Sequence, residues 1–171
     1  MDYRILALGD VASETGLQLL QRKLWAFRRE RDVAFAVVNG ENISGSGLTR
    51  VQAEELLAAG VTMSFGQDCV NDTFYPYGAG DMLQVALITG HAAQLSLPDE
   101  IEKTFDMITD DAAKILRLKD YGLKVGCNAD IVITACRDAR DAIRLTPERR
   151  YVIKRGRVVA STTVQSKLAI F

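Results

Sequence analysis

The sequence predicts an α/β fold: parallel βα units in a three-layer arrangement, then a C-terminal helical segment and a β-hairpin. Three observations carry this expectation. The apolar runs within residues 1–66 are unbroken rather than alternating, as in strands buried on both faces of a parallel sheet. Segments with helical apolar spacing separate these runs, and the connections are short. Near the C-terminus the pattern switches to alternation about Arg155-Gly156, a pair suited to a two-residue hairpin turn.

Each element follows from its own signals. YRILALGD is a short apolar run that stops at Gly9-Asp10, which reads as a buried strand. The next segment places Leu17, Leu20, Leu24 and Phe27 at helical spacing, with basic residues opposite. VAFAVVNG is a second strand ending at Asn39-Gly40, and ENISGSG is a loop. Thr49 is placed to cap the helix RVQAEELLAAG, and Gly60 to follow its end. VTMSFG reads as a third strand. A helical stretch around DMLQVALITGHA follows, with Met82, Val85, Ile88 and Ala92 or Leu95 as its buried stripe. Two shorter helices come next, one with Pro98 at its first position and one capped by Thr109. ADIVITA is a strand, DARDAIRL a short helix, and RYVIKRGRVVAS the hairpin. The softest boundary lies near Ser96–Pro98, which suggests domains at 1–97 and 98–171.

Composition narrows the function classes. The 171 residues are 48% hydrophobic and 25% charged, with a net charge of −1. That balance gives no basic surface for nucleic acid. No apolar run approaches the roughly 20 residues that span a bilayer. MDYRILALGD makes a poor signal peptide, because its apolar run is short and an acid stands at position 2. Three cysteines, Cys69, Cys127 and Cys136, form no CxxC pair, so a disulfide framework is not expected and a reduced cytoplasm is. There is one histidine, His91, in a helical stretch with no acid spaced to orient it, so it reads as a packing or surface residue.

The candidate chemistry is carboxylate chemistry. Asp10, Glu41 and Asp68 each follow an apolar run, with Asn42 and Gln67 beside them. If the three strands are parallel, all three acids open onto one sheet edge, where ligands of open α/β sheets bind. Oxygen donors without imidazole or thiolate suit Mg²⁺, Mn²⁺ or Ca²⁺ better than Zn²⁺. The alternative for each acid is a structural one, a helix cap or an Asx turn. GENISGSG is similarly open: its glycines either supply positive φ or present backbone N–H groups to a phosphate. It matches neither a P-loop nor a GxGxxG fingerprint. Cys69 has no base in view to activate it, and Tyr75 and Tyr77 read as loop packing.

Two families are resembled. From about Gly47 onward, GLTRVQAEELLAAGV, SFGQDCVNDTFYPYGAGDMLQVA, TDDAAKILRLKDYGLKVGCNADIVI and YVIKRGRVVAS resemble the C-terminal part of bacterial cytosine deaminases of the amidohydrolase superfamily. The resemblance implies a partial TIM barrel followed by strands of a small β domain. It also implies that Asp68 binds a metal and handles the proton of the attacking water. In that family the site further needs a His-x-His pair, two more histidines and a glutamate from earlier strands. Residues 1 to about 61, through ILALGDVASETG and VAFAVVNGENISGSGLT, are similar to the start of a bacterial calcineurin-like cyclic-nucleotide phosphodiesterase family. There the matches of Asp10, Glu41 and Asn42 ligate two metals. That family continues with Gly-Asn-His where this chain reads Gly66-Gln67-Asp68. The resemblances overlap within 47–61, where a join of two families is inferred.

Together these imply an incomplete metal-dependent hydrolase, cytosine-deaminase-like, inactive alone, with hydrolytic deamination of a nucleobase as its chemistry. The alternatives are a metallophosphoesterase-like metal site on the N-terminal sheet edge and a non-catalytic chimeric module. The implied cofactor is a divalent metal (Mn, Mg, Fe or Zn), with no organic cofactor. The implied partner is a nucleobase or nucleotide, without nucleic acid or membrane. Unpaired strand edges favour a homo-oligomer.

Overall fold

The computed structural model of the chain describes residues 3–45 and 47–169. It divides into two compact units, Met1–Val61 and Thr62–Phe171. The first unit is β1 (Arg4–Asp10), α1 (Ser13–Glu30), β2 (Val33–Asn39) and α2 (Arg50–Ala58). β1 and β2 pair in parallel, from Arg4 opposite Val33 to Asp10 opposite Asn39. Parallel neighbours need a long crossover, and α1 supplies it. Arg4 donates to the Arg31 carbonyl at 2.9 Å, and Arg28 to that of Ala34 at 3.2 Å, fastening the end of α1 to the strands. α2 begins with a reciprocal capping box: the Gln52 N–H donates to Thr49 Oγ1 at 3.3 Å, and the Thr49 N–H to Gln52 Oε1 at 3.0 Å. Gly60, at φ +79°, stands one residue beyond the cap residue Ala59, where a left-handed backbone favours glycine. Leu17 and Ile43 are the buried apolar residues of this unit among the described residues.

The second unit holds α3 (Met82–Ala92), α4 (Pro98–Met107), α5 (Asp110–Ile115), β3 (Ile131–Thr134), α6 (Ala139–Leu145), β4 (Arg149–Lys154) and β5 (Arg157–Ser161). Its core forms where α3, α4 and α6 meet. Leu83, Ala86, Ala142 and Ile143 are buried there, and Leu87, Ile101, Phe105, Ile108 and Cys136 pack around them. Burying a Leu or Ile side chain fully is worth about 1.5–3 kcal/mol, so this cluster is the main apolar stabilisation in the unit. β3, β4 and β5 form an antiparallel sheet in that order. Arg155 (φ +47°) and Gly156 (φ +74°) turn the β4–β5 hairpin with the two positive φ values that a type I′ turn requires. Asp130 braces that turn, accepting from the Arg155 N–H at 2.6 Å and from the Lys154 ammonium. The Lys154 hydrogen bond and the Arg155 N–H hold its carboxyl below the usual range.

Several expectations change. VTMSFG does not form a third strand: residues 61–69 carry no ladder, and the parallel sheet consists of β1 and β2. An apolar run becomes a strand only where a neighbouring edge accepts its hydrogen bonds, and none does so here. Asp68 therefore lies in a loop rather than at a strand end. α3, expected with the preceding strands, packs with α4 and α6 in the second unit. Its buried face is Leu83–Ala86–Leu87, while Ile88 of the expected stripe is 47% exposed. α3 is apolar on nearly every side, so spacing alone does not select a face. Thr109 precedes α5 but makes no side-chain cap; its hydroxyl donates backward to the Phe105 carbonyl at 2.8 Å.

Candidate functional site

The first unit brings three of the four expected ligand residues together. Asp10 ends β1, and Glu41 and Asn42 follow β2 in a turn. The parallel register sets the two strand ends side by side, and the Val11 N–H donates to the Asn39 carbonyl at 3.0 Å. The Ser13 N–H donates to the Asn42 carbonyl at 3.2 Å, drawing the turn back over β1. Asn42 Nδ2 then donates to Asp10 Oδ2 at 2.7 Å and, more weakly, to Glu41 Oε1 at 3.5 Å. The amide thus satisfies the carboxylates and stitches the two strand ends together. Beyond this turn, Ser44 Oγ donates to the Gly47 carbonyl at 2.6 Å, and Gly45 and Gly47 adopt positive φ. Those glycines serve the turn conformation; Ser46 lies outside the described residues.

Asp68 belongs to the second unit, in the loop between Thr62 and Asp81. It is exposed and hydrogen bonds to the Cys69 thiol. The Asp68 and Asp72 carboxylates, with some burial, push that thiol up to about 11, so Cys69 stays protonated at neutral pH and is a poor nucleophile. Asp72 makes an Asx turn, its Oδ1 accepting from the Tyr75 N–H at 2.8 Å and the Phe74 N–H at 3.0 Å. The Tyr75 bond, with the thiol and the Phe74 bond, keeps its carboxyl below the usual range. Tyr75 and Tyr77 meet edge to face, ring centroids 6.5 Å apart.

The loop closes on itself at Gly78. A Cβ there would stand 2.6 Å from the Cys69 carbonyl oxygen and 2.8 Å from the Tyr75 ring, so only glycine fits. Gln84 of α3 holds the same bend from the other side, donating to the Tyr77 carbonyl at 3.1 Å and accepting from the Ala79 N–H at 3.0 Å. Asp81 caps α3 by accepting from the Leu83 N–H at 2.9 Å, and it pairs with Arg149 of β4. Sequence reasoning missed this pair, because 68 residues separate its members and neither stands in a motif. The Asx turn had a signal in Asn71-Asp72 before an aromatic run. His91 stays on α3, its Nδ1 donating to the Leu87 carbonyl at 2.9 Å within the helix.

Among the described residues, no three His, Cys, Asp or Glu side chains are grouped to hold a metal ion. Asn42 turns its amide nitrogen, not its oxygen, toward the carboxylates of the first unit. Asp68 has a protonated thiol and a second carboxylate as company, with no imidazole. These side chains therefore do not compose a metal centre as arranged.

Comparison with known proteins decides the family. A profile of the Amidohydrolase family matches residues 30–160, about three quarters of the chain. The chain belongs to the amidohydrolase family. It is 34% identical over 111 residues to N-isopropylammelide isopropyl amidohydrolase of Pseudomonas sp. (strain ADP), a match covering 64% of this chain and 28% of that protein. The crystal structure of 5-methylcytosine deaminase from Klebsiella pneumoniae liganded with phosphonocytosine is 29% identical, with a TM-score of 0.62 over 68% of this chain and 29% of its own. The same deaminase liganded with 5-fluorocytosine aligns over 89% of this chain at 26% identity and TM-score 0.64. N-isopropylammelide isopropylaminohydrolase from Burkholderia multivorans ATCC 17616 shares the fold, with a TM-score of 0.73 over 92% of this chain and 47% of its own at 24% identity.

This amidohydrolase chain therefore spans between about a quarter and a half of the length of these relatives. The family match begins at residue 30, ahead of the join expected within 47–61, so Glu41 and Asn42 lie inside it. The alignments over 89% and 92% of the chain also extend past the second unit into the first. The phosphodiesterase resemblance and the two-family join gain no support from these matches. No helix among the described residues is long and apolar enough to cross a membrane.

Proposed function

We propose that this chain is the Asp68-bearing C-terminal portion of an amidohydrolase that removes an amino group hydrolytically from a nucleobase-like nitrogen heterocycle. The observation that carries this reading is the family match over residues 30–160, which contains the whole Asp68 loop. The relatives named for deamination and for amidohydrolysis point to cleavage of a C–N bond as the shared chemistry. In this reading the Asp68 carboxylate accepts a proton from the attacking water and returns it to the leaving amine, as a positioned general base and acid does. Gly78, Asp72 and Gln84 keep its loop folded. The family's divalent metal requires donors beyond those grouped among the described residues, and the sequence holds one histidine. The chain by itself is accordingly inactive.

Two experiments test the reading. The purified chain, supplied in turn with Mn²⁺, Mg²⁺, Fe²⁺ and Zn²⁺, is incubated with cytosine and 5-methylcytosine, and released ammonia is measured. No release above a metal-only blank is expected; release that disappears in Asp68→Asn would overturn the inactivity of the isolated chain. Residues 62–160 are also exchanged for the matching segment of the Klebsiella 5-methylcytosine deaminase. The hybrid is expected to deaminate and its Asp68→Asn form to be silent. A folded hybrid whose activity ignores Asp68→Asn would refute the role of that residue.

A further inference from the structure

Asp72 holds the Phe74 and Tyr75 N–H groups within the Asp68 loop and Gln84 of α3 holds Tyr77 and Ala79, but one anchor comes from far along the chain. Arg149 is the first residue of β4, paired opposite Thr134 where the β3–β4 register shifts between Ile133 and Thr134. Such an irregularity in a ladder re-aims side chains at a strand end. Arg149 sends one guanidinium nitrogen to the Pro147 carbonyl at 3.3 Å and another to Asp81 Oδ1. The side chains of the pair are about one-third and one-fifth exposed, so water screens the interaction only partly.

Asp81 is engaged on both sides. The same Oδ1 that meets Arg149 accepts the Leu83 N–H and so fixes the first turn of α3. In the same first turn, Gln84 holds the Tyr77 carbonyl and the Ala79 N–H, the residues flanking Gly78. Gly78 in turn lies directly against the Cys69 carbonyl and the Val70 Cα. A continuous set of contacts thus runs from Arg149 through Asp81, Gln84 and Gly78 to the residue beside Asp68.

We infer that Arg149 is a positioning residue for the Asp68 loop, acting through Asp81 and the first turn of α3 to fix the bend at Gly78. The inference rests on the amidohydrolase reading of Asp68 for its functional meaning, whereas the contacts themselves do not. A carboxylate that must meet a reacting water tolerates little displacement, so a remote anchor on its loop acts on chemistry without touching substrate. The guanidinium suits this task because its planar fork serves the Pro147 carbonyl and the Asp81 carboxylate at once, which a single ammonium does less well.

The test is residue-resolved amide exchange by NMR on the full chain, a readout that needs no turnover, so its outcome is independent of the deamination assay. Arg149→Met is expected to raise exchange at Tyr75 and Ala79 by about tenfold or more, as for a locally opened segment, while Thr104, Ala113 and Ala142 keep wild-type protection. Arg149→Lys should restore part of the loop protection. Asp81→Asn retains a cap acceptor for the Leu83 N–H but removes the charge, and should loosen the same loop amides. It serves as the second variant if Arg149→Met folds poorly. Loop exchange unchanged in both folded variants would overturn the inference. So would an equal rise in loop and core exchange, since that marks a general structural role.

Discussion

The two units of the chain are built from equally clear local signals, yet only one closes a core of its own. In Thr62–Phe171, α3 and α6 turn Leu83, Ala86, Ala142 and Ile143 toward one another, with Ile101 and Phe105 of α4 packed against them. In Met1–Val61, the buried apolar residues among those described are Leu17 and Ile43, while Ile5, Trp25, Val37 and Val51 are between 40% and 63% exposed. The difference is one of architecture. Three short helices form a small closed cluster by themselves. A parallel βαβ unit has two sheet faces to cover and helices enough for part of one. The first unit therefore has a two-stranded parallel sheet with much of its apolar surface uncovered. In the second unit, β3–β5 shows a similar deficit: Val132, Tyr151, Val158 and Val159 are each about half exposed. The relatives that share the fold are roughly twice as long as this chain, so comparable surfaces there have more chain available to cover them.

The largest expected effect tests the better core. Ile143→Ala should destabilise the second unit by about 2–5 kcal/mol, read by urea denaturation, because it leaves a cavity among packed helices. A loss below about 1 kcal/mol would mean that the cluster is no firmer than the first unit. The next test is acid. Arg137, then Arg144, draw the Asp141 carboxyl down to about 2. Burial opposes ionisation of Asp111, but hydrogen bonds from Lys103 and Lys114 outweigh it and hold that carboxyl below its ordinary 3.8. Groups with depressed values stabilise fully above the unfolded-state value and lose that contribution as pH falls through the folded one. The second unit should therefore lose stability between about pH 4 and pH 2, and Asp141→Asn should flatten that limb in a circular-dichroism titration. An unchanged acid limb in the variant would show that the ion pairs contribute nothing there.

Smaller effects sharpen the first unit and the loop. Thr49→Ala removes one half of the capping box of α2 and should cost about 1 kcal/mol, seen as faster amide exchange in Val51–Leu56. Equal exchange would mean that α2 is held by packing rather than by its cap. Asp68→Asn should leave stability nearly unchanged but lower the Cys69 thiol toward its ordinary 9.0, giving alkylation at pH 9 several-fold faster in a background with Cys127 and Cys136 replaced by serine. A rate equal to the parent's would separate Asp68 from the thiol.

Local physics made most elements legible. Capping at Thr49, the glycine after α2, proline at the start of α4 and the turn at Arg155-Gly156 each depend on residues within a few positions of one another. The candidate site was half legible in the same sense. Asp10, Glu41 and Asn42 follow two strands that do pair, and they meet. Asp68 was placed at the end of a third strand that does not form, because strand formation depends on a partner edge that a single run cannot specify.

By itself, then, the sequence determined most of the elements, the hairpin and the family signature around Asp68, since each is written in neighbouring residues. Tertiary structure alone decided which face of α3 is buried, because an almost uniformly apolar helix takes its orientation from α4 and α6. It also decided that Asn42 spends its amide on Asp10 and that Asp81 meets Arg149. Pairings between residues 32 and 68 positions apart have no period or motif to announce them, and they exist only once the chain has folded.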